Sequence, residues 1–247
     1  MRLLVDIGNT HIKAALSQDG HLCDRLSTTD CGQLIQWAQQ RTGGSAVDSI
    51  IAASVASTTP IEALSKAFGL KPVCLTADTL LPFSINYLTP QTLGADRLAT
   101  AAGARRHYPN KPTLIIDAGT CITIDIVDAT GIYRGGSITT GLHMKAEALH
   151  QHTKRLPLVS INQQHSTLPG RTTEEAICTG VMRGTAFELD GFYHYYASHY
   201  PELQCLLTGG DTEMLHPHLT VPHHCMPDLL FDGLDYILSH TQQHIQQ

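Results

Sequence analysis

An acidic glycine turn that occurs twice constrains this chain more than any other feature. The apolar run Leu3-Leu4-Val5 leads into Asp6-Ile7-Gly8-Asn9-Thr10, and Leu114-Ile115-Ile116 leads into Asp117-Ala118-Gly119-Thr120-Cys121. Each turn is followed by a second apolar stretch, Ile12 to Leu16 or Ile122 to Val127, and then by a glycine turn at Asp19-Gly20 or Thr130-Gly131. Asp6 and Asp117 stand 111 residues apart, as do Gly20 and Gly131. Short β-branched runs bounded by glycine turns predict a β-meander, and its return at one offset predicts two related halves.

Beyond each meander, strand and helix signals alternate. Cys31 to Arg41 around Trp37 predicts a helix and Asp48 to Ser54 a buried strand. In the second half, His143 to Arg155 and Thr173 to Tyr200 have helical composition, separated by a polar connector from Asn162 to Arg171. Leu203 to Thr208 predicts a short buried strand ending at Gly209-Gly210-Asp211, and Leu229 to His240 a further helix. The stretch Tyr108-Pro109-Asn110-Lys111-Pro112 has the composition of a tight connection. It divides the chain into 1–111, with the first acidic turn, and 112–247, with the second.

Composition excludes several classes. With 247 residues and 42% hydrophobic content the chain can bury one large core or two modest ones. No stretch approaches the roughly 18 apolar residues of a membrane span, so the expected compartment is the cytoplasm. Seven cysteines, an odd number with no CxxC pair, argue for reduced thiols rather than a disulfide framework. A net charge of -6, with no basic run longer than Arg105-Arg106, provides no footprint for nucleic acid. His216, His218, His223, His224 and Cys225 cluster in sequence, but their proline-rich surroundings lack fixed ligand spacing, which favours a solvated loop over a metal site.

A strand that delivers Asp-x-Gly into a tight turn offers a carboxylate, a glycine that permits close backbone approach and exposed amides. Such a turn suits a phosphate chain with its magnesium, although one copy alone is more readily an ordinary turn. The chain has no GxxxxGK[ST] and no GxGxxG, so P-loop and dinucleotide folds lack their defining residues.

Asp6 to Lys13 (DIGNTHIK) and Asp117 to Asp125 (DAGTCITID) resemble the two phosphate motifs of the actin, hexokinase and heat-shock chaperone superfamily. Gly94 to Arg97 (GADR) and Gly135 to Pro157 (GGSITTGLHMKAEALHQHTKRLP) are similar to blocks of type III pantothenate kinases, the latter with Thr140 where that family usually has proline. The resemblance implies an α/β fold of two duplicated actin-like (ribonuclease H-like) domains, each a mixed sheet flanked by helices. It implies ATP-dependent phosphorylation of pantothenate at the start of coenzyme A synthesis. Another small-molecule kinase of the superfamily and a non-catalytic accessory regulator are the alternatives.

The resemblance also implies residue roles. Asp96 becomes the catalytic base, although its place at a helix start equally suits a cap. Gly94, Ala95, Asp96 and Arg97, with Tyr87 and Thr172 or Thr173, become the pantothenate site; Arg97 suits a carboxylate partner. Asp6, Ile7, Gly8, Asn9, Thr10, His11, Ile12 and Lys13 form the ATP turn, with Asp6 on magnesium and Thr120 as a second nucleotide contact. Asp117 becomes the ligand of a monovalent cation, K+ or NH4+. Gly209-Gly210-Asp211 resembles the superfamily's adenosine motif, and the family's homodimeric state carries over.

Overall fold

The structure, a computed structural model, describes residues 1–8, 10–42, 46–54, 59–162 and 167–245. In chain order the first elements are β1 (Arg2–Ile7), β2 (Ile12–Gln18), β3 (His21–Thr28), α1 (Cys31–Arg41), β4 (Ser49–Ser54), α2 (Thr59–Phe68), β5 (Val73–Cys74), β6 (Ser84–Ile85) and α3 (Ala95–His107). There follow β7 (Thr113–Ala118), β8 (Cys121–Val127), β9 (Ile132–Thr140), α4 (Leu142–Gln151), α5 (Thr173–His199), β10 (Gln204–Thr208), α6 (Thr212–Leu215), β11 (His224–Cys225) and α7 (Leu229–Ile245). The chain divides into two compact units. One comprises Met1–Pro109, Gly131–Tyr133 and Asp228–Gln247; the other comprises Asn110–Thr130 and Arg134–Pro227.

In the first unit the strand order is β3-β2-β1-β4-β5. β1 sits in the middle because Leu3, Leu4 and Val5 are fully buried, a continuous apolar run that needs cover on both faces. It pairs antiparallel with β2 (Val5↔Ala14) and parallel with β4 (Val5↔Ala52). Leu3, Val5, Ala14, Leu16, Ile50 and Ala52 pack with Leu34 and Ala38 of α1 and Leu64 of α2. Asp30 caps α1 by accepting a hydrogen bond from the Gly32 N–H at 2.7 Å.

α7 packs on α3 in the same unit. The alanine-rich sequence of α3 has a steric reason here. A Cβ on Gly233 would stand 1.8 Å from the Ala99 carbonyl oxygen, and one on Gly103 would stand 2.2 Å from that of Leu229. The two backbones approach too closely for larger side chains. Asp235 of α7, 1% exposed, pairs with Arg2 and Arg106 at 3.0 Å each and accepts from the Ser17 hydroxyl at 2.8 Å. A buried carboxylate so satisfied ties the last helix to β1, β2 and α3.

The second unit repeats the plan. Its strands run β11-β10-β7-β8-β9, the same order as β5-β4-β1-β2-β3. β7 pairs antiparallel with β8 and parallel with β10, as β1 does with β2 and β4. Leu114, Ile116, Ile122, Ile124 and Leu207 form its core with Ile177, Met182 and Leu189 of α5. The two mixed sheets flanked by helices agree with the expected fold class. The offset of 111 is not uniform, however. Asp6 lies opposite Lys13, whereas Asp117 lies opposite Thr123, so the second acidic turn is one residue shorter. The longer connection from Val127 to Ile132 then restores the offset.

Candidate functional site

In the first unit, Asp6 ends an inner strand, and its cross-strand neighbour is Lys13 on β2. The turn between them closes with the Gly8 N–H donating to the His11 carbonyl at 3.0 Å. Asn9 lies outside the described residues. Ile7 and Ile12 are buried, Gly8 is half-buried, and Thr10, His11 and Lys13 are exposed, so the turn presents backbone and polar groups above an apolar base. Desolvation raises the Asp6 carboxyl from 3.8 to about 6; the Asp96 carboxylate adds to the rise and Lys13 opposes it. Asp6, Lys13 and Asp96, distant in sequence, therefore share one electrostatic neighbourhood.

Asp96 stands in the first turn of α3, whose N-cap is Gly94. Its Oδ1 accepts from the Arg97 N–H at 2.9 Å. A Cβ on Gly94 would lie 2.3 Å from that oxygen, so glycine is what allows the carboxylate to fold back over the helix start. The cap is Gly94, and Asp96 adds charge complementarity at the positive end of α3. Ala95 is buried beneath it.

Arg97 is not an exposed helix arginine. It is 6% exposed, and its guanidinium lies 6.0 Å from the ring centroid of Tyr87 and 5.9 Å from that of Tyr133. The rings are 6.2 Å apart in an edge-on arrangement, and both lie at cation–π range. Tyr133 is fully buried at the start of β9, where Ser84–Ile85 of β6 pairs in parallel with Ile132–Tyr133. The sequence singles out Tyr87 and not Tyr133, because a tyrosine after a glycine turn reads as an ordinary strand residue. Its signal was the single aromatic in the second hairpin, two residues past Gly131.

In the second unit, Asp117 and Thr120 belong to a turn enclosed by glycine backbone. The Gly119 N–H donates to the Cys121 carbonyl at 3.0 Å, and the Gly141 N–H to the Thr120 carbonyl at 3.1 Å. A Cβ on Gly141 would stand 2.1 Å from the Gly119 oxygen. Gly209, at φ +95°, has Asp117 Oδ1 2.5 Å from where its Cβ would be. The Asp211 N–H donates to the Ala118 carbonyl at 2.9 Å, docking the Gly209-Gly210-Asp211 turn on the end of β7. β9 runs through Thr140, so the residue that departs from the resembled motif leaves that strand end intact.

Thr172 is the N-cap of α5, its hydroxyl accepting from the Glu175 N–H at 3.2 Å, while the Glu175 carboxylate accepts from the Arg171 N–H at 2.7 Å. Thr173 is exposed and takes no part in that cap. Residues 163–166 of the expected polar connector lie outside the described residues. Among the described residues no helix is long and apolar enough to cross a membrane.

The sequence model of the family described as Type III pantothenate kinase matches residues 2–195. A Type III pantothenate kinase of Flavobacterium johnsoniae is 38% identical over 87% of this chain and 88% of its own. One of Christiangramia forsetii is 37% identical over 96% and 98%. Among solved structures, a conserved Campylobacter jejuni protein assigned to the Baf family of transcriptional activators aligns over 98% of this chain and 99% of its own, with a TM-score of 0.64 and 22% identity. A ROK family glucokinase from Streptomyces griseus, solved with glucose and AMPPNP, aligns over 98% and 99% with a TM-score of 0.54 and 12% identity. The last two likenesses concern the fold alone.

Proposed function

Because the chain belongs to the type III pantothenate kinase family, we propose that it transfers the γ-phosphoryl group of ATP to the primary hydroxyl of pantothenate, yielding 4'-phosphopantothenate and ADP. This is the first step towards coenzyme A. The observation that carries the residue assignment is the start of α3. There Gly94 frees the space that the Asp96 carboxylate occupies, and Arg97 is held beside it by two tyrosines.

In this reading Asp96 takes the proton from the pantothenate hydroxyl. The hydroxyl oxygen bonds to the γ-phosphorus as the bond to the bridging oxygen breaks, and ADP leaves with the electron pair. Asp96 Oδ1 accepts from the Arg97 N–H at its own helix start, and in this reading the second carboxylate oxygen, Oδ2, takes the proton. Phosphoryl transfer asks chiefly for positioning and charge compensation, and a carboxylate of modest basicity suffices as the base. Arg97 pairs with the pantothenate carboxylate, and stacking by Tyr87 and Tyr133 fixes its direction. Thr173, whose hydroxyl is outside the α5 cap, is the threonine of the substrate site rather than Thr172.

The Gly8 to Lys13 turn and Thr120 hold the nucleotide phosphates. Mg2+ fits Asp6: a carboxylate held at about 6 by desolvation gains most from a hard cation that ligates oxygen. K+ or NH4+ fits the Asp117 turn, where carbonyl and carboxylate oxygens crowd between Gly141 and Gly209. Such cations, when bound, offset the charge on the phosphate oxygens. The proposed homodimer is supported in the second unit by the aromatic surface of α5, where the exposed Tyr195 lines an open groove of about 460 Å³ with Phe192 and Tyr196. The proposed compartment is the cytoplasm, where these substrates occur.

A coupled ADP-release assay tests the proposal. Turnover should require pantothenate and rise when K+ or NH4+ replaces Na+. Absence of pantothenate-dependent turnover with every cation would end it.

A further inference from the structure

The kinase reading uses none of the histidines that follow α6. His216 opens a short 3-10 turn (His216–His218), His223 precedes β11, and Cys225 lies on β11. One potential ligand atom from each lies within 4.8 Å of the other two. His216 Nδ1 and His223 Nε2 are 2.8 Å apart. The solvated-loop reading of this segment does not anticipate such convergence.

A second contact orients the His223 ring. Its Nδ1 lies 2.8 Å from the Val221 carbonyl oxygen. A carbonyl only accepts, so Nδ1 carries the proton, and Nε2 of the neutral ring keeps its lone pair directed at His216. Metal-ligating histidines are fixed by this kind of outer contact. Cys225 is held by backbone: it pairs with Leu207 of β10, and the next N–H, of Met226, donates to the Leu207 carbonyl at 2.8 Å. Its thiol is exposed. The cysteine and one imidazole are thus fixed in place, and His216, on the exposed surface, closes the set.

We propose that His216, His223 and Cys225 bind a transition-metal ion of the Zn2+ class, with solvent in the fourth position. Two imidazole nitrogens and one thiolate are borderline-soft donors that select Zn2+ over Mg2+ or Ca2+. A tetrahedral ion with N–metal distances of about 2.05 Å holds its two ring nitrogens about 3.3 Å apart, so the histidine pair opens by about half an ångström on binding. An exposed His216 side chain accommodates that by rotation. None of Asp6, Asp96 and Asp117 belongs to this set, and occupancy ties the 3-10 turn to the edge of the sheet in the second unit.

Titration of the full-length reduced protein with Co2+, followed by absorption, tests the site. Wild type should take up one tight equivalent with the visible bands of four-coordinate Co2+ and a near-ultraviolet thiolate charge-transfer band, and Zn2+ should displace it. Cys225→Ser should lose the charge-transfer band, and both Cys225→Ser and His223→Ala, which remove a direct ligand, should weaken binding by more than the roughly 100-fold that loss of an outer-shell partner can cost. Zn2+ should raise the Tm of wild type and of neither variant. Cys225 is exposed, so its variant keeps the test valid if His223→Ala misfolds. No band at one equivalent, or unchanged bands in Cys225→Ser, would overturn the proposal and leave a hydrogen-bonded histidine pair.

Discussion

Replacement of Asp6 by asparagine should make the protein more stable while removing its grip on nucleotide. Desolvation lifts the Asp6 carboxyl from 3.8 to about 6. At about 1.4 kcal/mol per unit, a rise of about two units costs the folded state about 3 kcal/mol once the group is fully ionised. The folded-state pKa lies above the unfolded one, so the folded chain holds this proton more tightly. The associated stability is complete below about pH 4 and is lost as pH rises through about 6. Asparagine carries no charge to desolvate. In urea titrations without ligand, Asp6→Asn should match wild type near pH 4 and exceed it by about 2–3 kcal/mol near pH 8. Added Mg-ATP should then stabilise wild type and leave the variant almost unchanged. A variant no more stable than wild type near pH 8, or a difference independent of pH, would refute the reasoning.

Other substitutions probe the remaining parts. Asp96→Asn should lower kcat by about 10²- to 10⁴-fold in steady-state assays while the circular dichroism spectrum stays unchanged. Gly94→Ala places a methyl 2.3 Å from Asp96 Oδ1 and should reproduce most of that loss by displacing the carboxylate, with Mg-ATP binding retained in calorimetry. Arg97→Lys gives up the planar fork and its stacking on Tyr87 and Tyr133, and should raise the KM for pantothenate about tenfold with a smaller change in kcat. Asp235→Ala leaves Arg2 and Arg106 without their shared carboxylate and should cost about 3–5 kcal/mol in chemical denaturation.

The sequence exposed the fold where local chemistry dictates it. Leu3 to Val5 and Leu114 to Ile116 are apolar runs that require inner strands, and the glycine turns after them set the meanders. The doubled strand order follows from that repetition. What stayed hidden depends on partners far along the chain. Nothing local to α7 shows that Asp235 meets Arg2 and Arg106, and nothing local to Arg97 shows that Tyr133 covers it. The single-residue difference between the two acidic turns was invisible because a longer second connection compensates it. His216 and His223 lie seven positions apart in a proline-rich stretch, so neither helical nor strand periodicity signals their approach; the turn after α6 and the pairing of β11 on β10 create it. At the site, the resemblance marks Gly94 within the pantothenate segment and Gly209 within an adenosine motif, but only the fold shows that each leaves space beside a carboxylate, Asp96 and Asp117 respectively.

The transfer of phosphate to pantothenate is tested most directly by following the phosphorus itself. In a ³¹P NMR time course with ATP, Mg2+, K+ and pantothenate, wild-type protein should generate a phosphomonoester resonance in step with ADP, and Asp96→Asn should generate almost none. ADP accompanied by inorganic phosphate alone, or a spectrum indifferent to pantothenate, would contradict the account.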